Sequence, residues 1–395
     1  MIAQRDVVTA VDNRAPLVGE VMQFVHAHPE LGHEEHECSR YMCETLAHLG
    51  LEVEPGVGGI GTAFRAVLRG AHPGRTVGLV CLYDAVPTLR EDGRLEPVHS
   101  CGHGPIAGGI VAAAAALADL RRELSGAVAV MGCPADEIHA PGTVKRGGGK
   151  ARTVEAGLWE GVDAALYAHP EFIDTVSLES LWMRRDRVTV FGSRSLKGDE
   201  QAPLITARAA VDAERPGEVM LERLVLDGDV EEGTALGVEC TFLLWSSSER
   251  ALQQRAAELR AEVTGTWQEG TVYQGVRPDP ELTAAVADAF RAIGRPFVED
   301  PPPLPFATDF GNISQRTRAA LIGVGRDGGW AFHTDQGAEQ FASPDGEAAG
   351  LTIARVLALA AARLSDPRSA APVSVRSSSG HRGTDNDERD RAASS

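Results

Sequence analysis

The sequence places a thiol and an imidazole two residues apart in His99-Ser100-Cys101-Gly102-His103-Gly104. Thiolate sulfur and imidazole nitrogen suit Zn²⁺ or a similar ion. A Cys-x-His pair alone is weak evidence, because the same spacing also occurs where nothing binds. Three further donors strengthen the prediction of a metal site: Glu137 in Pro134-Ala135-Asp136-Glu137, His169 in Tyr167-Ala168-His169-Pro170, and His333 in Phe332-His333-Thr334-Asp335.

Most of these donors follow apolar segments that have the length and composition of buried strands. The predicted strands are 76–83, 127–133 and 162–168, and they alternate with helices, of which the longest predicted is 105–120. This alternation is typical of an α/β domain with a mostly parallel sheet covered by helices. Ligands of such sheets bind at the carboxyl ends of the strands. The sequence therefore predicts that the polar residues following the strands share one edge of the sheet: Asp84, Asp136, Glu137 and His169.

The pattern changes between residues 184 and 270, where the predicted order is βαββαβ. That order predicts an inserted α+β domain, a four-stranded antiparallel sheet with two helices. We predict a larger domain formed by 1–184 and 273–366, with a smaller inserted domain at 185–272 between them. Residues 367–395 are rich in Ser, Arg, Asp and Gly and are predicted to be disordered.

Composition narrows the choice of partners. The net charge of −18 over 395 residues argues against nucleic acid or an anionic membrane, since both favour a basic surface. No uninterrupted apolar stretch reaches the roughly 20 residues of a membrane helix, and the N-terminus lacks the pattern of a signal peptide. Six scattered cysteines do not form a disulfide framework. We therefore expect a protein of the reducing cytoplasm.

Several motifs together resemble the metal-dependent amidohydrolase family that includes aminoacylases, carboxypeptidase G, auxin-conjugate hydrolases and aminobenzoyl-glutamate hydrolase. Tyr83-Asp84-Ala85, Cys101-Gly102-His103 and Thr308-Asp309-Phe310-Gly311-Asn312 are most similar to the branch that contains β-alanyl-lysine dipeptidase. The resemblance extends from about Val21 to Leu359 and is poorest in the inserted segment.

This resemblance implies a site for two divalent ions (Zn, Mn or Co). The positions that match its ligands are Cys101, His103, Glu137, His169 and His333. Asp84 matches a carboxylate that orients the ligands, and Asp136 occupies the position of the general base, which takes a proton from water and gives it to the leaving nitrogen. Two simpler interpretations stay open: Asp84 as a helix or turn cap, and His169 as a hydrogen-bonded histidine at a strand end.

Two departures from the family pattern bear on the mechanism. Asp136 stands where the family has a glutamate, and a displacement of about 1 Å in a catalytic group can cost on the order of 100-fold in rate. Leu196, in Gly192-Ser193-Arg194-Ser195-Leu196, stands where the family has a histidine that is thought to stabilise the oxyanion across a dimer. Loss of one such donor typically costs about 100- to 1000-fold.

The sequence thus predicts a metallohydrolase that cleaves the amide bond of a small N-acyl amino acid, dipeptide or related conjugate, and that forms a homodimer through the inserted domain. Two alternatives remain: a pathway enzyme that uses the metals for acyl transfer, cyclisation or another non-hydrolytic step, and a non-catalytic metal-binding or ligand-sensing relative.

One further motif, Gly147-Gly148-Gly149-Lys150, resembles part of a phosphate-binding loop. It lacks the strand–loop–helix frame and the Ser or Thr that follows the lysine in such loops. We therefore predict a flexible loop here.

Overall fold

The computed structural model describes residues 2–192, 202–228 and 236–369, and its secondary structure is as follows. The strands in chain order are β1 (Glu52–Pro55), β2 (Phe64–Arg69), β3 (His72–Cys81), β4 (Val86–Leu89), β5 (Leu95–Val98), β6 (Ser125–Gly132), β7 (Ala164–Glu171), β8 (Trp182–Phe191), β9 (Val219–Asp227), β10 (Gly237–Ser246), β11 (Thr266–Gln268), β12 (Val272–Tyr273) and β13 (Arg318–Gly325). The helices are α1 (Gln4–Asn13), α2 (Ala15–Ala27), α3 (His36–His48), α4 (His103–Asp119), α5 (Pro141–Arg146), α6 (Gly149–Glu155), α7 (Ala202–Asp212), α8 (Glu249–Glu262), α9 (Pro280–Ala292), α10 (Phe310–Ser314), α11 (Asp335–Phe341) and α12 (Pro344–Leu364).

The larger sheet has the strand order β1-β2-β6-β3-β7-β13. Strand β3 runs parallel to β6 and β7, and β7 runs parallel to β13. The two antiparallel pairings are β1 with β2 and β2 with β6. The three central strands are nearly continuous apolar segments with helices over both faces, as parallel strands require. Leu79, Val130 and Leu166, one from each, have no exposed surface. The mostly parallel, helix-covered sheet predicted from the sequence is confirmed.

Helix α4 is the central helix of this domain, and its small residues allow close packing. A Cβ at Gly108 would lie 2.5 Å from the carbonyl oxygen of Val18 in α2, and one at Gly109 would lie 2.6 Å from that of Gly350 in α12. Larger side chains would force both helices away from α4. The packing fixes the N-terminal end of α4, where His103 is located.

The smaller sheet is antiparallel, with the order β11-β8-β10-β9, and the two-residue strand β12 adds to β8. Helices α7 and α8 pack on it through a separate hydrophobic cluster that includes Phe242, Leu252 and Leu259. The predicted inserted α+β unit is therefore present, with five strands among the described residues in place of the four predicted. The division into 1–184, 185–272 and 273–366 stays a prediction.

Some predictions concern residues outside the described ranges. Leu196 is one of them, and the predicted tail 367–395 leaves the described ranges at residue 370, after a short 3-10 helix at Pro367–Ser369. Within the described residues, every helix is too short or too polar to traverse a bilayer.

Candidate active site

The five predicted metal ligands lie together at the carboxyl edge of the larger sheet. Cys101 Sγ lies 3.3 Å from His333 Nε2 and 3.8 Å from His169 Nε2. Glu137 places one carboxylate oxygen 3.8 Å from His333 Nε2 and the other 3.9 Å from His103 Nε2. Cys101 and His333, which are 232 residues apart in sequence, thus contribute to a single cluster.

The cluster divides into two groups of three donors that share one sulfur. Cys101, His103 and His169 form the first group, and Cys101, Glu137 and His333 form the second. Within each group the donor atoms lie within 4.8 Å of one another. This arrangement has the form of two adjacent ion positions with Cys101 between them. The side chain of His169 points into the cluster, in agreement with the ligand interpretation.

Asp84 holds two of these donors in place. Its carboxylate is fully buried; Oδ2 accepts a hydrogen bond from the Glu137 N–H at 3.0 Å, and Oδ1 lies 3.1 Å from His103 Nδ1. His103 Nδ1 also lies 2.6 Å from the Asp84 carbonyl oxygen. A proton on Nδ1 that is donated to the Asp84 carbonyl oxygen leaves Nε2 free to face the cluster. Asp84 therefore bridges two donors rather than capping a helix of its own.

Two residues of the site have left-handed backbone conformations that favour glycine. Ala135, beside Asp136, has φ of +54°, and its N–H donates to the Glu35 carboxylate at 2.8 Å. His333 has φ of +59°, and its N–H donates to the Ser100 carbonyl oxygen at 3.0 Å. Each such conformation costs on the order of 1 kcal/mol or more, and the surrounding hydrogen bonds maintain it. The backbone is strained at the two points where it directs side chains into the cluster.

Four of the five donors are largely buried, whereas the side chain of His333 is 53% exposed. His103 Nε2 and Glu137 Oε1 are buried and have no hydrogen-bond partner within the part of the chain that the structure describes. Burial lowers the pKa of His169 to about 4, so its imidazole is neutral. Burial also raises the pKa of the Cys101 thiol, and it raises the pKa of Glu137 to about 7. Sulfur, nitrogen and oxygen donors gathered in a largely buried cluster match the ligand set of divalent transition ions.

Asp136, the predicted base, lies at the border of the cluster. Its Oδ2 is 3.3 Å from His103 Nε2 and accepts a hydrogen bond from the Tyr167 hydroxyl at 3.4 Å. Its Oδ1 forms an ion pair with the ammonium of Lys150. Burial alone would raise the pKa of Asp136, but Lys150 and His103 together lower it below the usual range. The carboxylate is ionised and can accept a proton.

Lys150 is the site residue that sequence reasoning missed. The predicted flexible loop is wrong for this part of the motif, because Gly149–Glu155 form α6 and the Lys150 side chain has no exposed surface. The tight packing of the glycines explains the motif: a Cβ at Gly149 would lie 1.7 Å from the Pro134 carbonyl oxygen. The phosphate interpretation fails as well, because the ammonium is already paired with carboxylates.

A cavity of about 350 Å³ opens beside the cluster. Phe172, Phe306 and Phe332 form an aromatic wall, and the first two are 61% and 51% exposed. Leu304 and Leu321 extend this apolar surface. A concave apolar pocket with a few polar groups at one end is the usual form of a small-molecule site.

Comparison with known proteins identifies the family. The model of Peptidase family M20/M25/M40 matches residues 83–361, a segment that contains the five donors and both aspartates. The chain belongs to this family. The resemblance found in the sequence is thereby confirmed.

The similarity to individual relatives is low in sequence identity or in the share of the chain that is aligned. The Xaa-Arg dipeptidase of Mus musculus is 28% identical over 91% of this chain and 88% of its own length. Thermostable carboxypeptidase 1 of Saccharolobus solfataricus is 34% identical, but the alignment covers only 38% of each protein. Among solved structures, a dinuclear metal binding peptidase of the M20 family from Bacillus subtilis matches 90% of this chain and 99% of its own, with a TM-score of 0.67 at 19% identity. This last likeness shows the shared fold.

Proposed function

We propose that this protein is a hydrolase that cleaves the amide bond of a small N-acyl amino acid, dipeptide or related conjugate, with water activated at a pair of divalent ions (Zn, Mn or Co). The observation that carries the proposal is the cluster of two donor groups with Asp136 at its border. Membership of a peptidase family and relatives named as dipeptidase and carboxypeptidase support the same reaction class.

Cys101, His103, Glu137, His169 and His333 would hold the ions. When bound, such ions lower the pKa of water from about 15.7 toward 7 and polarise a carbonyl. Asp136 Oδ2 takes a proton from the attacking water as the water oxygen bonds to the amide carbon. The same oxygen then gives the proton to the nitrogen as the carbon–nitrogen bond breaks. Asp84 holds the His103 ring and the Glu137 main chain in position during both proton transfers, because its carboxylate contacts both.

The cavity indicates which part of the substrate this chain would bind. The aromatic wall of Phe172, Phe306 and Phe332 offers contact to an apolar or aromatic group on one side of the amide. Its described lining contains the acidic residues Asp136, Glu137 and Glu171 but neither Lys nor Arg. An apolar acyl or side-chain group next to the scissile amide is therefore the complementary ligand.

Homodimerisation through the inserted domain is part of the proposal. Its support is a surface of exposed apolar side chains on α7 and β9, and β9 is an edge strand of the smaller sheet. Soluble proteins rarely leave an apolar edge uncovered. The residues of this surface are Leu204, Ile205, Val211, Met220 and Leu226. We also propose a cytoplasmic location, which the six unpaired cysteines support.

The decisive experiment combines metal analysis with a panel of N-acyl amino acids and dipeptides. Protein prepared without chelator is expected to contain about two metal equivalents and to hydrolyse members of the panel. Asp136→Asn is expected to lower turnover by about 10²- to 10⁴-fold with unchanged metal content, because the amide cannot accept the proton.

Other outcomes would contradict the proposal in distinct ways. Two metal equivalents without hydrolysis would favour a metal-assisted reaction of another kind. Fully folded protein without metal would favour the ligand-sensing alternative. Unchanged turnover in Asp136→Asn would refute the assignment of the base alone.

A further inference from the structure

An ammonium group lies buried between two carboxylates directly behind the proposed base. The side chains of Lys150 and Asp309 have no exposed surface, and Lys150 Nζ is 2.7 Å from Asp309 Oδ1. The same ammonium forms an ion pair with Asp136 Oδ1. A buried charge is retained only when it is well paired. The proposed hydrolysis gives this lysine no role in proton transfer or metal binding, because it is not among the donors and lies outside the cavity lining.

Asp309 fixes the lysine through the backbone as well as through its charge. Its Oδ2 accepts hydrogen bonds from the N–H groups of Lys150 at 2.8 Å and Ala151 at 3.2 Å. The first turn of α6 is therefore tied to Asp309, which lies directly before α10. A Cβ at Gly148 would lie 2.4 Å from Asp309 Oδ2, so glycine is needed for this approach. The position of the ammonium is set by two separate elements of the catalytic domain.

The lysine also determines which carboxylate oxygen of Asp136 is available. Because Lys150 engages Oδ1, the other oxygen, Oδ2, is the one that lies 3.3 Å from His103 Nε2. Tyr167 contributes a second, weaker constraint, with its hydroxyl 3.4 Å from Oδ2. Without the ammonium, two contacts of Oδ2 would oppose rotation about the Cα–Cβ and Cβ–Cγ bonds of Asp136: the long hydrogen bond from Tyr167 and the contact with His103 Nε2.

We propose that Lys150, anchored by Asp309, is a positioning residue that holds Asp136 with Oδ2 directed at the donor cluster. The inference rests on the proposed function, because it assumes that Asp136 is the base. The physical reason is the length of the side chain. Aspartate is one methylene shorter than the glutamate of the family pattern, so a small rotation moves its oxygen out of reach of the reacting water. A fixed cation behind Oδ1 prevents that rotation.

The first test is structural and does not depend on activity. In a crystal structure of the apo Lys150→Met variant, the Asp136 carboxylate is expected to leave its wild-type rotamer, with Oδ2 displaced by about 1 Å or more. A carboxylate that stays in place, with Oδ2 still at the wild-type distance from His103 Nε2, would overturn the inference. This result is independent of whether the protein hydrolyses amides.

The second test is kinetic and separates positioning from a general structural role. In Lys150→Met, kcat is expected to fall by about 100-fold, as for a 1 Å displacement of a catalytic group, while KM and metal content stay near the wild-type values. Since Lys150 acts through Asp136, the Lys150→Met/Asp136→Asn double variant should be no slower than Asp136→Asn alone. Multiplicative losses in the double variant would overturn the inference. Absence of hydrolysis in the wild type would instead contradict the proposed function.

A further variant covers the case in which Lys150→Met fails to fold because two buried carboxylates are left without their cation. Lys150→Met/Asp309→Asn removes one positive and one negative charge together and keeps the side-chain volumes similar. The same loss of kcat at unchanged metal content is expected. Wild-type kcat in this folded variant would overturn the inference.

Discussion

Replacement of Asp84 by asparagine tests how the donors are oriented. The buried carboxylate accepts the Glu137 N–H through Oδ2 and faces His103 Nδ1 through Oδ1. Asparagine keeps the shape but replaces one oxygen with an NH₂ group. Whichever way the amide is turned, a donor then faces another donor, either the Glu137 N–H or the protonated His103 Nδ1.

The expected magnitude follows from that conflict. Loss of a group that orients metal-binding side chains typically costs about 10- to 100-fold in metal affinity or activity. A buried donor without an acceptor costs about 1–3 kcal/mol, and a tenfold change in affinity corresponds to about 1.4 kcal/mol, so the two estimates agree. Asp84→Asn should therefore weaken metal binding by about 10- to 100-fold. Both ion positions should be affected, because Asp84 contacts one donor from each group.

Competition with a chelator of known affinity measures this change at constant pH. Asp163→Asn is the matched control: Asp163 also accepts a backbone N–H, that of Thr76 at 2.7 Å, but at the opposite end of the sheet. The control should retain wild-type metal affinity. An Asp84→Asn variant that binds metal within about twofold of the wild type would refute the argument that this carboxylate orients the donors.

Two further predictions concern stability. Burial raises the pKa of Glu222, but the nearby His139 and the hydrogen bonds from Arg185 outweigh it and bring the pKa to about 2. A lowered folded-state pKa stabilises the folded protein above the unfolded value of 4.5, and this stabilisation is lost as the pH falls toward 2. The melting temperature of Glu222→Gln should therefore depend less on pH across this window than that of the wild type. Equal slopes of melting temperature against pH in the two proteins would contradict the assignment. Gly149→Ala should destabilise the fold by about 1–3 kcal/mol in urea titrations, because its Cβ would lie 1.7 Å from a main-chain oxygen. The control Gly61→Ala has open space around its Cβ and should be neutral. Equal urea midpoints for the two variants would contradict the clash.

The cluster was predictable because the sequence carries its signals locally. Apolar segments of strand length predicted the parallel sheet, and donor residues at their ends predicted a common edge. Cys101 and His103 follow from adjacency, but His333 is on a distant segment with a left-handed backbone. Its residue type made it a candidate donor, but only the family resemblance matched it to a ligand position. The metal roles of all five residues stay predictions, although the structure brings their donor atoms together.

Lys150 could not be predicted from its neighbours, because its role depends on tertiary contacts. In sequence it follows three glycines, a composition that indicates a loop. Its environment is created by Asp136, 14 residues earlier, and by Asp309, 159 residues later. The hairpin of β4 and β5 was missed for a related reason: its two strands are only four residues long each and largely exposed, so they lack the alternating pattern of a buried strand.

The division of the donors along the chain affects the order in which the site is assembled. Cys101, His103 and His169 all precede the segment that forms the smaller sheet, whereas the other group requires His333. During translation, the complete first set leaves the ribosome before that segment has been made. The second set is finished only when nearly the whole protein has been synthesised. A nascent or prematurely terminated polypeptide that ends between residues 170 and 332 therefore carries all three donors of the first group and lacks one donor of the second.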